Sequence, residues 1–236
     1  MALDPAVRDA LLQISTATLT TEMGRLGLRN IWMRTPRPLR QGQPRVVGEA
    51  FTMRFIPIRE DFVGKPDAWP GRRAFVDCVE VVPPGAVLVA DAMGNMGAGV
   101  FGDVMATRMH HRGVAGLVSD GALRDTRGML ASGLPVWCPG MAAPGIGAAL
   151  TMASWQEPIG CGGVSVLPGD VIVLDDDGGV VIPPHILDEL VPVALKHERL
   201  EAFIIGEVAK GAVLPGLYPP NADTEARYEA AMRGGS

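Results

Sequence analysis

The sequence predicts one α/β domain with helical ends, and three observations predict it. Residues 86–119 run strand, glycine-rich turn, helix, strand, the order of a β-α-β unit. Residues 164–182 hold three short apolar runs separated by Pro-Gly-Asp and Asp-Gly-Gly, a pattern of antiparallel strands. Helical stretches open and close the chain with no low-complexity linker between them, and 236 residues with 47% hydrophobic and 20% charged side chains are enough for one sizeable core.

The elements follow in order. "DPAVRDALLQI", 4–14, has helical spacing with Asp4 as N-cap and Pro5 at the first turn. "STATLTTEMGRLG", 15–27, reads as a second helix capped by Ser15 or Thr16 and followed by Gly27. Residues 30–44 are rich in Pro and Arg and read as loop or sheet edge, while 46–58 reads as a strand. Residues 61–73 read as loop, 74–82 as a short helix, and "AVLVADA", 86–92, as a strand. A helix over 103–112 and a strand over 114–119 complete the β-α-β unit, and "LPVWCPG", 134–140, reads as a further strand. The runs 164–167 and 171–175 flank Pro-Gly-Asp as a hairpin, and 179–182 follows as a third strand. A long helix over 184–209 begins at Pro183-Pro184, and a short one over 222–233 ends the chain. The expected division is a domain over 1–210 and a tail over 211–236 that packs on a neighbouring subunit.

Composition excludes several classes. The net charge is −5, and no basic run exceeds two residues, so neither nucleic acid nor an anionic membrane surface is an expected partner. No apolar run reaches a membrane span, and the N-terminus lacks the charged and apolar regions of a signal peptide, so the expected location is the cytoplasm. Cys78, Cys138 and Cys161 lack zinc or disulfide spacing and read as buried free thiols.

The chemistry concentrates in "GDVMATRMHHRGVAGLVSDGALRDT", 102–126. Four glycines in residues 93–102 lead into Asp103 at a helix start, where backbone N–H groups and the helix dipole suit a small anion. The spacing is neither a dinucleotide-binding fingerprint nor a P-loop. Arg124 and Asp125 follow a strand, at the rim of a parallel sheet where ligands bind. Arginine clamps carboxylates and stabilises oxyanions, and aspartate is a hard ligand for a hydrated Mg²⁺ or Mn²⁺. Taken singly, Asp103 also reads as a helix cap and Arg124-Asp125 as a surface ion pair. Their occurrence in one β-α-β unit favours a site.

Asp103, twenty residues, then Arg124 and Asp125 resembles the D-x20-R-D motif of the RraA-like family, which includes the class II 4-hydroxy-4-methyl-2-oxoglutarate / 4-carboxy-4-hydroxy-2-oxoadipate pyruvate aldolases. "LPGDVIVLDDDGGVVIP", 167–183, is similar to a second segment of that family, and the resemblance covers about residues 10–210. It implies an α-β-β-α sandwich of the swivelling β/β/α type, assembled as a homotrimer or homohexamer with the site between subunits. It implies that Asp125 binds a divalent metal (Mg²⁺ or Mn²⁺) and that Arg124 steadies a pyruvate enolate. Gly102, Asp103, Val104 and Met105 would bind the substrate carboxylate, chiefly through backbone amides, with Asp103 also holding a water for proton transfer. A helper acid from the adjacent subunit's C-terminal helix is implied, with Glu198 and Glu201 as candidates. The family often carries an acid three residues after Asp125; this chain has Gly128.

The implied reaction cleaves a 4-hydroxy-2-oxo acid to pyruvate, with oxaloacetate decarboxylation as a companion activity. Two alternatives stand beside it: a non-catalytic protein-binding regulator of ribonuclease activity, and an aldolase or decarboxylase for a sugar-derived 2-oxo acid. Lys65, Lys196 and Lys210 lie in loop or helix contexts, which favours the metal route over a Schiff base. His110 and His111 read as solvated residues at a helix end, His185 and His197 form no metal pair, and 175–178 reads as a hairpin turn. Arg34, Arg37 and Arg40 are candidates for a second substrate cation. Glu60, Asp61 and Asp67 lie in a loop within reach of a substrate.

Overall fold

The computed structural model describes residues 3–61 and 71–234. The predicted loop over 61–73, with Asp67, therefore lies mostly outside the described residues. The chain enters through two capped helices. The Asp4 carboxylate accepts the Ala6 N–H at 2.7 Å to start α1 (Pro5–Leu11). The Ser15 hydroxyl accepts the Thr18 N–H at 3.1 Å to start α2 (Thr16–Arg25), and Gly27 leaves it with φ 85°.

The 30–44 stretch yields two strands of two residues each, β1 (Trp32–Met33) and β2 (Arg37–Pro38). Next come β3 (Val46–Pro57), α3 (Gly71–Val81), β4 (Val87–Asp91), α4 (Asp103–His111), β5 (Gly116–Ser119), α5 (Thr126–Ala131) and β6 (Val136–Cys138). The second half carries β7 (Leu150–Trp155), β8 (Ile159–Cys161), β9 (Val164–Val166), β10 (Val171–Asp175), β11 (Gly178–Ile182), α6 (Leu187–Ala209) and α7 (Ala222–Gly234).

One nine-stranded sheet runs β1-β11-β10-β3-β4-β5-β6-β2, with β7 also on β3. Neighbours from β3 to β6 are parallel, and the remaining pairs are antiparallel. The long β3 joins the halves: residues 46–49 pair with β10 and residues 50–54 with β4. The sheet curls so that its two halves face each other. Met33, Val89, Val118, Trp137, Ile172 and Leu174 fill the space between them. One outer face is covered by α1, α2 and α6 over Val173, Val180 and Ile182; the other carries α3, α4 and α5 over Leu88, Leu117 and Val136. The result is the α-β-β-α sandwich that the resemblance implied.

One expected pairing is wrong. The run 164–167 does not form a hairpin with 171–175. β9 pairs with β8 across Gly162 and Gly163, whose φ values of 57° and 80° suit the tight turn that two positive-φ residues make. The Pro168-Gly169-Asp170 turn is docked on β3 instead. The Gly169 N–H donates to Ala50 O at 3.0 Å, and the Ala50 N–H donates to Asp170 O at 2.7 Å. The turn thus moves the chain from the small β8–β9 hairpin into the main sheet, where β10 pairs with β11 around Asp176-Asp177. Turn chemistry marked both ends of 164–167 but not which neighbour it would choose.

The tail folds back on its own chain. Leu217 and Tyr228 are buried, the Tyr228 ring lies 5.8 Å from Phe203 of α6, and Arg227 pairs with Glu207. Val213, Leu214 and Tyr218 stay exposed. No described helix is long and apolar enough to cross a membrane.

All three cysteines are free and buried. Burial pushes the Cys78 thiol up to about 12 and the Cys138 thiol up to about 11, and it drives Cys161 well above its ordinary value. The native protein is therefore expected to leave a disulfide-exchange thiol reagent unreacted at pH 8 and to release three equivalents in denaturant. Fast native labelling of any one thiol contradicts this.

Candidate active site

Three strand exits build the site. β4 leads through the glycine-rich turn into α4, β5 leads into Arg124-Asp125 and α5, and β6 leads into the loop 139–149. Backbone bonds tie the three segments together. The Arg124 N–H donates to Phe101 O at 3.0 Å, the Leu123 N–H to Gly140 O at 3.1 Å, and the Gly99 N–H to Pro144 O at 2.8 Å.

Arg124 lies along a collar of glycines. A Cβ at Gly99 would stand 2.6 Å from Arg124 Cβ, one at Gly102 would stand 3.3 Å from its Cγ, and one at Gly145 would stand 2.8 Å from its Nη1. Only backbone without side chains passes this close to the arginine. Asp125 takes the left-handed conformation, φ 60° and ψ 48°, at the start of α5. That conformation costs a non-glycine residue roughly 1 kcal/mol, and Asp tolerates it better than most. The Arg124 Nε–H donates to Asp125 Oδ2 at 2.9 Å. The two side chains keep 41% and 36% of their surface, so a ligand can reach both.

Asp103 stands at the start of α4, with Gly102 as its N-cap. Its Oδ1 accepts the Val104 N–H at 2.8 Å, so one of the amides expected to hold substrate is engaged by Asp103 itself. Val104 projects outward and is 79% exposed, while Met105 packs partly against the core. The other first-turn amides of α4 have no partners within the helix, as at any helix start. The structure thus brings Gly102, Asp103, Arg124 and Asp125 together at one rim.

Among the described residues, no group of three or more His, Cys, Asp and Glu side chains could hold a metal ion. Asp125 is a lone carboxylate with one oxygen shared with Arg124. That donor set fits a hydrated Mg²⁺-type ion, which keeps several waters, and not a zinc cage.

The two α6 acids have partners in their own chain. Glu198 Oε2 accepts the Ser15 N–H at 3.0 Å and the Ser15 hydroxyl at 2.9 Å. Burial works to raise its carboxyl, but hydrogen bonds from Thr18 and Ser15 and the charge of Arg45 outweigh this and hold it below its ordinary value. Glu201 is freer, with His197 Nε2 3.4 Å away; the same ring's Nδ1 lies 2.5 Å from buried Glu22. Of the loop arginines, Arg34 donates to Gly163 O and Asn30, and Arg37 lies over the Trp32 ring. Arg40 borders a separate pocket of about 130 Å³ beside α5, with Leu39, Gln43, Leu130 and Leu134. Asp61 pairs with Arg59, and His110 and His111 are exposed at the end of α4.

Sequence reasoning counted Gly99 only among the turn glycines, missed Gly145 and saw Gly128 only as a departure. Gly145 sits in an unremarkable "APGIG" loop, and nothing in its neighbours marks a contact with Arg124.

The fold and rim define a class: an α-β-β-α sandwich with a guanidinium and two carboxylates at the ends of parallel strands. The RraA-like family, described as aldolase/RraA, matches residues 16–181, and the chain belongs to it. The structure of Streptomyces coelicolor RraAS2, described as an unusual member of the RNase ES inhibitor RraA protein family, is 34% identical with a TM-score of 0.77, covering 86% of this chain and 97% of that one. A Halalkalibacterium halodurans protein named "Putative 4-hydroxy-4-methyl-2-oxoglutarate aldolase" is 43% identical over 105 residues, 42% of this chain and 47% of that protein. Legionella pneumophila protein DlpA is 28% identical over 210 residues, 89% of this chain and 33% of DlpA. The chain thus matches a third to a half of the length of these two curated relatives.

Proposed function

We propose that this chain is a divalent-metal-dependent lyase that cleaves a 4-hydroxy-2-oxo acid to pyruvate. The observation that carries the reading is the convergence of Asp103, Arg124 and Asp125 on one solvent-reachable, glycine-lined rim. The similarity to the H. halodurans protein supports the substrate class. Candidate substrates are 4-hydroxy-4-methyl-2-oxoglutarate and 4-carboxy-4-hydroxy-2-oxoadipate, with oxaloacetate decarboxylation alongside.

The substrate carboxylate binds at the start of α4, where amide dipoles favour an anion. Arg124 faces the 2-oxo oxygen. Asp103, through a water, takes the proton of the 4-hydroxyl. The C3–C4 bond then breaks, C4 leaves as a carbonyl, and the bonding pair becomes the C2–C3 double bond of an enolate whose charge rests on the 2-oxygen beside Arg124. The same water returns the proton to C3 and gives pyruvate, so the proton balance closes. Asp125 would hold Mg²⁺ or Mn²⁺, which when bound supplies Lewis-acid polarisation of the 2-oxo group. A neighbouring copy in a homotrimer or homohexamer would complete the distal wall, and Glu201 is the freer of the two α6 acids to serve across such a seam.

The test is a panel of 4-hydroxy-2-oxo acids and oxaloacetate with Mg²⁺ or Mn²⁺, followed by pyruvate release. Turnover is expected, with loss in EDTA, recovery on adding metal, and loss in Asp125→Ala with the native fold retained. Release that persists in EDTA overturns the metal route. A second reading, a protein-binding regulator of ribonuclease, draws on the broader similarity to the S. coelicolor protein. An inert panel, with ribonuclease inhibition by the same preparation, favours it.

A further inference from the structure

The two carboxylates of the rim are each seated against a glycine of the other helix start. Gly102, just before α4, faces Asp125: a Cβ there would stand 2.5 Å from Asp125 Oδ2. Gly128, in the first turn of α5, faces Asp103: a Cβ there would stand 2.3 Å from Asp103 Oδ2, 2.8 Å from its Cγ and 2.5 Å from its Cβ. The contact with Cβ decides the matter. Turning the Asp103 side chain to another rotamer moves its oxygens but leaves its Cβ where the backbone puts it. At the spacing this chain has, a side chain at 128 must therefore push the starts of α4 and α5 apart by about 1 Å to reach ordinary contact, and the acid that the family often carries at this position needs a wider gap. Gly128 is not a conformational glycine: its φ is outside the positive region, and it lies within a regular helix, where Ala is normally the better residue. The glycine is there for closeness.

We infer that Gly128 is a positioning residue, which sets the spacing between Asp103 and the Arg124-Asp125 pair and so places Asp103 for proton transfer. The inference rests on the lyase reading. It adds a residue that touches no substrate but fixes how far the proton-handling acid stands from the guanidinium. A displacement of 1 Å is enough to cost a reaction about 10²-fold.

The experiment compares wild type, Gly128→Ala, Asp103→Asn and the double variant, using turnover and inhibition by oxalate, a planar analogue of the enolate. Gly128→Ala is expected to lower kcat at least 30-fold, with a smaller rise in KM and in the oxalate inhibition constant, because the same shift moves the carboxylate-binding start of α4. In the Asp103→Asn background the same change is expected to cost less than twofold further, because the acid it would displace is already disabled. A smaller loss of kcat, or equal losses in both backgrounds, overturns the inference. If Gly128→Ala does not fold, Asp103→Gly added to it removes the clashing Cβ and is expected to restore the native circular dichroism; no restoration overturns the inference. If the wild type turns over no 2-oxo acid, the lyase reading fails separately. The spacing claim is then read from a crystal structure of Gly128→Ala, where helix starts closer than 0.5 Å to their wild-type separation overturn it.

Discussion

Arg124→Ala is expected to lower pyruvate release by about 10²–10³-fold, the cost of removing one donor from a developing oxyanion. The guanidinium is pre-set for that role. Gly99, Gly102 and Gly145 press against its stem and one terminal nitrogen, and Asp125 accepts its Nε–H. Little reorganisation is left when charge appears beside it. Arg124→Lys is expected to recover less than a tenth of the loss, because an ammonium cannot bond Asp125 and the substrate from one planar fork. Steady-state rates with melting temperatures matched to wild type check both variants. A fully active Arg124→Ala removes the guanidinium from the mechanism.

Trp137→Ala is expected to destabilise the fold by roughly 3–5 kcal/mol. That is a large part of the 5–15 kcal/mol typical of a domain. Trp137 is fully buried between the two halves of the sheet, and its indole N–H donates to Asp175 O at 2.7 Å. Asp175 in turn caps α2, its carboxylate accepting the Thr16 N–H at 2.8 Å and the Thr16 hydroxyl at 2.7 Å. Truncation opens a cavity and removes the indole hydrogen bond to the carbonyl at the end of β10. Trp137→Phe keeps much of the volume and is expected to cost about 1–3 kcal/mol, chiefly through the lost hydrogen bond. Urea unfolding midpoints separate the two. Equal midpoints for both variants would make the hydrogen bond, not the volume, the larger factor.

The parts legible in the sequence are those that local chemistry writes. Asp4 and Ser15 cap helices because a short acceptor precedes helical spacing, and the β4-α4-β5 unit follows from apolar runs around a glycine turn. The partner of 164–167 was not legible, because Gly162-Gly163 and Pro168-Gly169 both read as turns and the choice lay in β3, over a hundred residues away. The helix over 126–131 was missed because six residues with a glycine inside carry little periodicity. At the site, Gly102, Asp103, Arg124 and Asp125 stood out by residue type and spacing. Gly99, Gly128 and Gly145 matter for the side chain they lack, and that absence is visible only once Arg124 and Asp103 are seen beside them.

The outermost strands of the nine-stranded sheet, β1 and β2, come from one seven-residue stretch, 32–38, and each is two residues long. Proline occupies position 38 and another stands at 36, so one border offers few amides to a visiting strand. At these two borders the sheet therefore offers a foreign chain only two residues on which to template itself, and the same short segment guards both against edge-to-edge association.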